Sequence, residues 1–408
     1  MMGMIGMKTP FVKAKPILDR LHEHGYEAFF VGGAVRDYIL KQPIHDIDIA
    51  TSATPDAVQA IFSHVIPVGI KHGTVVVVHE GQAYEVTTFR KESDYEDYRR
   101  PNEVEFISNL HEDLKRRDFT MNAIAMSRDL EIIDPFDGTK DIHNKLIRTV
   151  GSPYERFQED PLRILRAVRF VSKLDFSIEK ETLKAMDEMK KYIAHLSVER
   201  ITQEFEKLLL GKANQKALKL IADYDMHLYL PGLKNCKCEI EQIAKLPLSS
   251  IKEAREGWAL LLYFINEQPK PFLKEWKHSN KLIKDVETLL HALNKYKHKL
   301  WHPYLFYKLG WELSVSCVRI FSIMNEQAVE ENIEKLKTIY ENLPIKNRNE
   351  LAVNGNDLIS MSDRKRGPWM KNLITDIEKA IVSGKLANDK NEIRKWVLRW
   401  HKQSEKNY

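Results

Sequence analysis

Asp46 and Asp48 stand one residue apart in PIHDIDIAT, residues 43–51, flanked by Ile47 and Ile49. In a strand, residues i and i+2 share a face, so both carboxylates point one way and the isoleucines pack the other way. Two acids on one face repel, and a divalent cation with its need for oxygen ligands removes that repulsion. Two Mg2+ ions about 3.5–4 Å apart activate a hydroxyl and stabilise a departing pyrophosphate. The plainer alternative is an edge strand with two solvated acids. Upstream, VGGAVRD sets Gly32 and Gly33 between an expected strand and an expected helix, where backbone N–H groups approach a phosphate. Arg36, one turn later, reaches the same anion, while the plainer reading of Gly-Gly is a tight turn. Glu85 in YEVTTF is either a third carboxylate or a solvated strand acid.

The second chemical stretch is EDPLRILRAVRF. Asp160 before Pro161 reads as a helix N-cap with proline at the first helical position. Arg163, Arg166 and Arg169 follow at steps of three, each step turning about 300°, so they form a slowly drifting stripe. Leu162, Leu165 and Val168 form a parallel apolar stripe. Without acids at i+4 the arginines gain nothing from helical ion pairs. They make either a solvated basic face or a reader of base edges. Cytosine and adenine each present an amino donor beside a ring-nitrogen acceptor, which a carboxylate next to a guanidinium complements. Uracil and guanine present the reverse, and a mismatched polar group there costs several kcal/mol, on the order of 1–3 per group. Asp160 with Arg163 would thus accept CTP and ATP and reject UTP and GTP. Arg166 and Arg169 remain for phosphates or for orienting the pair.

The elements that must hold these groups divide the chain. Up to about residue 150 the pattern is mixed α/β: EAFFVGG, DIDIAT, GTVVVVHEG and AYEVTTFRK read as strands, the last two as a hairpin. PFVKAKPILDRLHEHG reads as a helix ending at Gly25, and TPDAVQAIFSH as one capped by Thr54. Strand, Gly-Gly, helix with arginine, then paired aspartates describe a nucleotidyltransferase palm. After residue 150 long 3.6-residue patterns predict an all-helical remainder, with a basic tail expected to fray. The chain has 408 residues, net charge +5, 43% hydrophobic and 30% charged residues, which suit a multidomain globular protein able to meet nucleic acid. The densest apolar run, WALLLYFI, is too short to span a bilayer, so no membrane partner is expected. The N-terminus lacks a signal-peptide pattern, and three cysteines (Cys236, Cys238, Cys317) form no metal set or disulfide framework, so a cytoplasmic location is expected.

With both sites in hand, the chain resembles the CCA-adding enzymes, class II tRNA nucleotidyltransferases of the bacterial type, over nearly its whole length. The motifs are GGAVRDYILKQPIHDIDIAT, RRDFTMNAIAM, DPFDG, EDPLRILRAVRF and ERITQEFEKLLL. The resemblance implies an α+β fold: an N-terminal palm with a mixed sheet, then an all-helical neck, body and tail arranged as a seahorse. Residues 1–150 would be the head, 151–212 the base-recognising neck, 213–315 the body and 316–408 the tail, the last two binding tRNA. It implies Asp46 and Asp48 as catalytic metal ligands for Mg2+, and Gly33 and Arg36 as triphosphate contacts. Arg117 and Asp118 would select ribose over deoxyribose, and Arg117, Asp160, Arg163, Arg166 and Arg169 would bind nucleotide. ERITQEFEKLLL would buttress the template helix. Read by itself, it buries Ile201, Phe205, Leu208 and Leu209 and pairs Arg200 with Glu204 at i,i+4. One departure is Lys41, where the family has glycine after the helix; a change confined to the turn is expected.

The activity this implies is addition and repair of the 3′-terminal CCA of tRNA from CTP and ATP with release of pyrophosphate. Residues 90–103, RKESDYEDYRRPNE, resemble the loop that full CCA-adding members keep, which favours CCA over CC addition. A-only addition, CC addition, a poly(A) polymerase of the same family and a non-catalytic RNA-binding palm are the alternatives. The only His-Asp pair is His45-Asp46, inside the palm, so no appended phosphohydrolase is expected. Lys346 and Arg348 are a candidate tRNA contact or part of an ordinary junction. The resemblance suggests a homodimer.

Overall fold

The first helix, α1 (Met2–Glu23), buries Phe11, Ala14, Ile17, Leu18 and Leu21 and stops before Gly25, whose φ is 81°. This is a computed structural model, and it describes residues 2–92, 95–96, 100–101, 104–296, 301–362 and 366–404. The 90–103 segment lies partly outside the described residues. The chain divides into two compact units, Met1–Lys237 and Cys238–Tyr408.

In the first unit β1 (Ala28–Val31) leads through α2 (Gly33–Ile39) to β2 (Asp48–Thr51) and α3 (Pro55–Ile61). Thr54 caps α3, its side chain accepting from the Ala57 N–H, as the sequence predicts. Next come β3 (Val65–Gly69), β4 (Thr74–His79) and β5 (Gln82–Thr88), with β4 and β5 forming the expected hairpin. The short β6 (Arg90–Glu92), β7 (Tyr95–Glu96), β8 (Arg100–Pro101) and β9 (Val104–Phe106) pair among themselves, β6 with β9 and β7 with β8. After α4 (Leu110–Lys115), β10 (Ala125–Met126) and β11 (Ile132–Ile133) complete a seven-stranded mixed sheet of order β11-β10-β1-β2-β5-β4-β3. Asp134 of DPFDG accepts from the Gly138 and Thr139 N–H groups at the start of α5 (Gly138–His143). A Cβ at Gly138 would collide with the Thr120 carbonyl, so only glycine lets α5 lie this close to the chain after α4.

Lys41 has φ of 56°, in the left-handed region, and the Gln42 N–H donates to the Asp37 carbonyl. That is the helix-ending turn that glycine adopts without a Cβ penalty. Lys41→Gly should raise stability by about 0.5–1 kcal/mol. A urea midpoint that stays or falls would contradict this.

The remainder of the first unit is nearly all helical. The exception to the sequence expectation is a two-residue parallel pair, β12 (Leu146–Ile147) with β13 (Ser177–Ile178), which crosses the residue-150 limit. Around it lie α6 (Pro153–Glu159), α7 (Leu162–Leu174), α8 (Lys180–Met189), α9 (Val198–Leu209) and α10 (Asn214–Asp223), and the unit ends at the first residue of α11 (Lys237–Ile243). α7 packs on α9 and α10. Ile201, Phe205, Leu208 and Leu209 are buried as expected, each such side chain contributing about 1.5–3 kcal/mol. Leu162, Leu165 and Val168 are buried too, but so are Ile164, Ala167 and Val171, so α7 is covered nearly all round.

The second unit contains α12 (Ala254–Ile265), α13 (Pro269–Glu275), α14 (Asn280–Lys295), α15 (Pro303–Met324), α16 (Val329–Glu341), α17 (Gly355–Ser362), α18 (Trp369–Val382) and α19 (Lys390–Ser404). Trp258 of α12 is fully buried against Trp276, ring centroids 4.7 Å apart. A second cluster gathers Leu343, Ile345, Leu373, Ile377, Ile381 and Val397 with Tyr307. Most of the tail expected to fray lies in α19, which runs through Ser404; residues 405–408 lie outside the described residues. Arg348 Nε donates to the buried Glu378 at 2.6 Å, so this candidate tRNA contact also ties the fold together. Among the described residues no helix is long and apolar enough to cross a membrane.

Candidate active site

Asp48 opens β2 opposite Val31 of β1 and, on the other side, in register with Glu85 of β5. Asp46 lies outside the strand, a correction to the expected four-residue alternation. β1 ends at Val31 because Gly32 (φ 71°) turns the chain into α2, leaving Asp46 no strand partner on that side. Ile47 and Ile49 are nonetheless buried, so the two aspartates stay on the side away from the core. The reading of Glu85 as a third carboxylate gains support from its register. Burial first, and then the charge of Glu85, push the Asp48 carboxyl up to about 6; Arg117 opposes and Asp46 adds. A Cβ on Gly32 would stand 3.2 Å from Arg117 Nη1 and 3.7 Å from Asp48 Oδ2, so glycine leaves the guanidinium and carboxylate room to flank the backbone.

This donor set fits a divalent ion. It offers only carboxylate oxygens, and the mutual charge of Asp46, Asp48 and Glu85 is what a cation would relieve. Among the described residues no three potential ligands form a closed cage. An open pair of carboxylates completed by substrate phosphates is how Mg2+ is commonly held.

Arg36 is nearly inaccessible. Its Nη1 donates to Asn122 Oδ1 at 2.6 Å and its Nε to Asp37 Oδ1 at 2.9 Å. Asn122 in turn donates to Asp118 Oδ1 at 3.1 Å, and Asp118 Oδ2 accepts from Arg166 Nε and Nη2 at 2.8 and 2.6 Å. A continuous polar chain therefore runs from α2 to α7. Gly33 begins α2, and a Cβ there would lie 3.6 Å from Arg36 Nη2. Arg117 pairs with Asp113 at 3.1 Å, while its buried Nε has no partner.

Asp160 and Arg163 are not bonded to each other. Asp160 Oδ1 accepts from the Leu162 N–H at 3.1 Å and Oδ2 from Arg200 Nη2 at 2.6 Å. The expected cap is shifted by one residue: Pro161 holds the N-cap position of α7, which begins at Leu162, while Asp160 is the C-cap of α6 and accepts from the Leu162 N–H from one residue further back. Arg163 donates to Glu159 at 2.6 Å and to the carbonyls of Arg156 and Arg116. Arg169 Nε lies 2.5 Å from Glu204 Oε2, a contact of charge off the hydrogen-bond axis. The i,i+4 pairing of Arg200 with Glu204 is thus overturned: packing of α9 against α7 gives Arg200 to Asp160 and Glu204 to Arg169. Sequence reasoning also missed Asn122, Glu159 and Phe170, whose ring sits beneath Arg36, Arg166 and Arg169 at 5.3, 5.8 and 4.0 Å. Only the arginine stripe signalled that acids must come from elsewhere.

Residues 28–148 match the Poly A polymerase head domain, 175–237 the RNA- and SrmB-binding site of polymerase A, and 249–397 the tRNA nucleotidyltransferase domain 2. The CCA-adding enzyme of Bacillus mycoides (strain KBAB4) is 46% identical over 390 residues, covering 95% of this chain and 98% of that protein. The chain belongs to the CCA-adding enzyme family. It is a tRNA nucleotidyltransferase with the palm and helical domains of that family. The crystal structure of the Bacillus stearothermophilus CCA-adding enzyme in complex with CTP superposes with a TM-score of 0.90 at 43% identity, covering 98% of this chain and 99% of that one. The Thermotoga maritima CCA-adding enzyme complexed with tRNA matches in fold, with a TM-score of 0.64 at 21% identity and 94% coverage of both chains. Nucleotidyltransferases of this family generally use divalent metals, and Asp46, Asp48 and Glu85 are the carboxylates nearest to that role here.

Proposed function

We propose that the chain rebuilds the 3′-terminal CCA of tRNA from CTP and ATP, with Mg2+ at Asp46 and Asp48. The observation that supports this most is the registration of Asp48, at the start of the interior strand β2, with Glu85 of β5, with Arg117 close by across Gly32. Gly33 and Arg36 hold the triphosphate, so that the β- and γ-phosphates leave as pyrophosphate toward a guanidinium fixed by Asp37 and Asn122. Arg117, with one buried N–H unpaired, meets the ribose. When bound, the metal supplies charge neutralisation at the phosphates and lowers the pKa of the attacking hydroxyl. The primer's terminal oxygen bonds to the α-phosphorus as the bond to the bridging oxygen breaks.

Base choice falls to Asp160 and Arg163. A carboxylate accepts about four hydrogen bonds and a guanidinium donates five. Asp160 and Arg163 therefore retain capacity after their protein partners are served, for the amino group and ring nitrogen of cytosine or adenine. Arg166 and Arg169 orient the pair through Asp118 and Glu204. Asp160→Ala should relax discrimination against UTP and GTP by about 10–100-fold in kcat/KM. Unchanged selectivity would leave Asp160 as a helix cap alone.

The decisive experiment offers tRNA lacking its 3′ end to each nucleotide singly and in pairs. CTP alone should add two residues and CTP with ATP should add CCA; a long adenylate tail would overturn the proposal in favour of a poly(A) polymerase. The limits at residues 150, 212 and 315, a cytoplasmic location and a homodimer belong to the same proposal. They draw on the family resemblance.

A further inference from the structure

Arg36 and Lys173 share one carboxylate. Arg36 Nη2 lies 2.8 Å from Asp37 Oδ1, and Lys173 Nζ lies 3.6 Å from Asp37 Oδ2. Arg36 is 3% exposed, whereas Lys173 reaches in from the last turn of α7 with its side chain 45% exposed. Arg166, Arg169 and Lys173 follow at i, i+3 and i+7 on one helix face. Arg36 and Lys173 thus share the Asp37 carboxylate, while Arg166 pairs with Asp118 and feels Asp160 and Glu204, and Arg169 meets Glu204. Burial and then the positive charge of Arg36 depress the Lys173 pKa despite Asp37, with Arg169 acting in the same direction. An ammonium short of negative charge, half open to solvent and beside the arginine assigned to the triphosphate, favours an anionic oxygen.

We propose that Lys173 is a further phosphate-binding residue of the active site, meeting non-bridging oxygens of the bound nucleotide's triphosphate and then of pyrophosphate. The inference rests on the reading of Gly33 and Arg36 as the triphosphate site. The competing role is structural: a lysine in the last turn of a helix favours the terminal carbonyls and here also ties α7 to α2 through Asp37. That role moves stability and leaves nucleotide affinity alone.

Three variants separate the possibilities: Lys173→Gln, Lys173→Arg and Arg36→Lys. Each is assayed for KM with CTP, with ATP and with tRNA, for inhibition by added pyrophosphate, and for urea midpoint. Lys173→Gln should raise KM for both nucleotides about fivefold and weaken pyrophosphate inhibition by the same factor, with KM for tRNA unchanged. Lys173→Arg should stay within about twofold of the parent, because it keeps the charge. A native KM and native pyrophosphate inhibition in Lys173→Gln, at any urea midpoint, overturn the proposal. If Arg36→Lys shifts both readouts and Lys173→Gln shifts neither, the inference alone fails. If Arg36→Lys also shifts neither, the triphosphate reading itself is wrong.

Discussion

Asp48→Asn is expected to cut nucleotide incorporation by about a thousandfold or more while making the metal-free protein more stable. The rate loss follows from removing the carboxylate that is in register with Glu85 and feels the charge of Arg117, where charge must be neutralised as pyrophosphate departs. The stability gain follows from linkage. The Asp48 carboxyl is pushed up from 3.8 to about 6, so the folded chain holds this proton more tightly than the unfolded one. Metal-free protein therefore loses stability as pH rises from about 4 to about 6, by at most about 3 kcal/mol. Asparagine has no proton to lose, so the variant should lack that decline. Added Mg2+ should stabilise the parent at pH 7 and leave the variant little changed. Wild-type incorporation by Asp48→Asn would end the metal assignment.

Asp118→Ala should have the largest effect on stability, about 2–3 kcal/mol at pH 7, because it removes a buried carboxylate and leaves Asn122 without that acceptor and half-buried Arg166 with only the more distant Glu204. Burial alone would raise the Asp118 pKa, but Arg166, Asn122 and Arg163 outweigh it and hold the carboxyl at about 2. A depressed folded-state pKa gives stability that is present above about pH 4 and lost as pH falls toward 2. This amounts to about 2 kcal/mol from the shift itself. Urea unfolding from pH 5 down to pH 2 would display the loss in the parent and a flatter profile in Asp118→Asn. Superimposable profiles would show that Asp118 does not carry the acid sensitivity.

What the sequence disclosed and what it hid have the same physical origin. Periods of 2 and 3.6 are local, so the β4–β5 hairpin, α3 with its Thr54 cap and the buried face of α9 were all readable in advance. The aspartates stood out because two acids in one short apolar run are a local signal, whereas Glu85 meets Asp48 only through strand pairing. The strand limit was not readable: Asp46 falls outside β2 because Gly32 turns the neighbouring chain away, a fact about another segment. Ion-pair partners were the least legible. Local rules give Arg200 to Glu204, but α9 meets α7 along the face that carries both, and each finds a partner across the interface. The turn at Lys41 was flagged as a departure, and its left-handed backbone shows what the departure costs.

The pairing of distant segments at α7 has a consequence for biosynthesis. Asp46, Asp48 and Glu85 leave the ribosome early, but Arg166, Arg200 and Glu204, which fix Asp118, Asp160 and Arg169, emerge some 80 to 120 residues after Glu85, by the numbering of the chain. A nascent or stalled chain thus holds the acids assigned to catalysis before the frame that disciplines them exists.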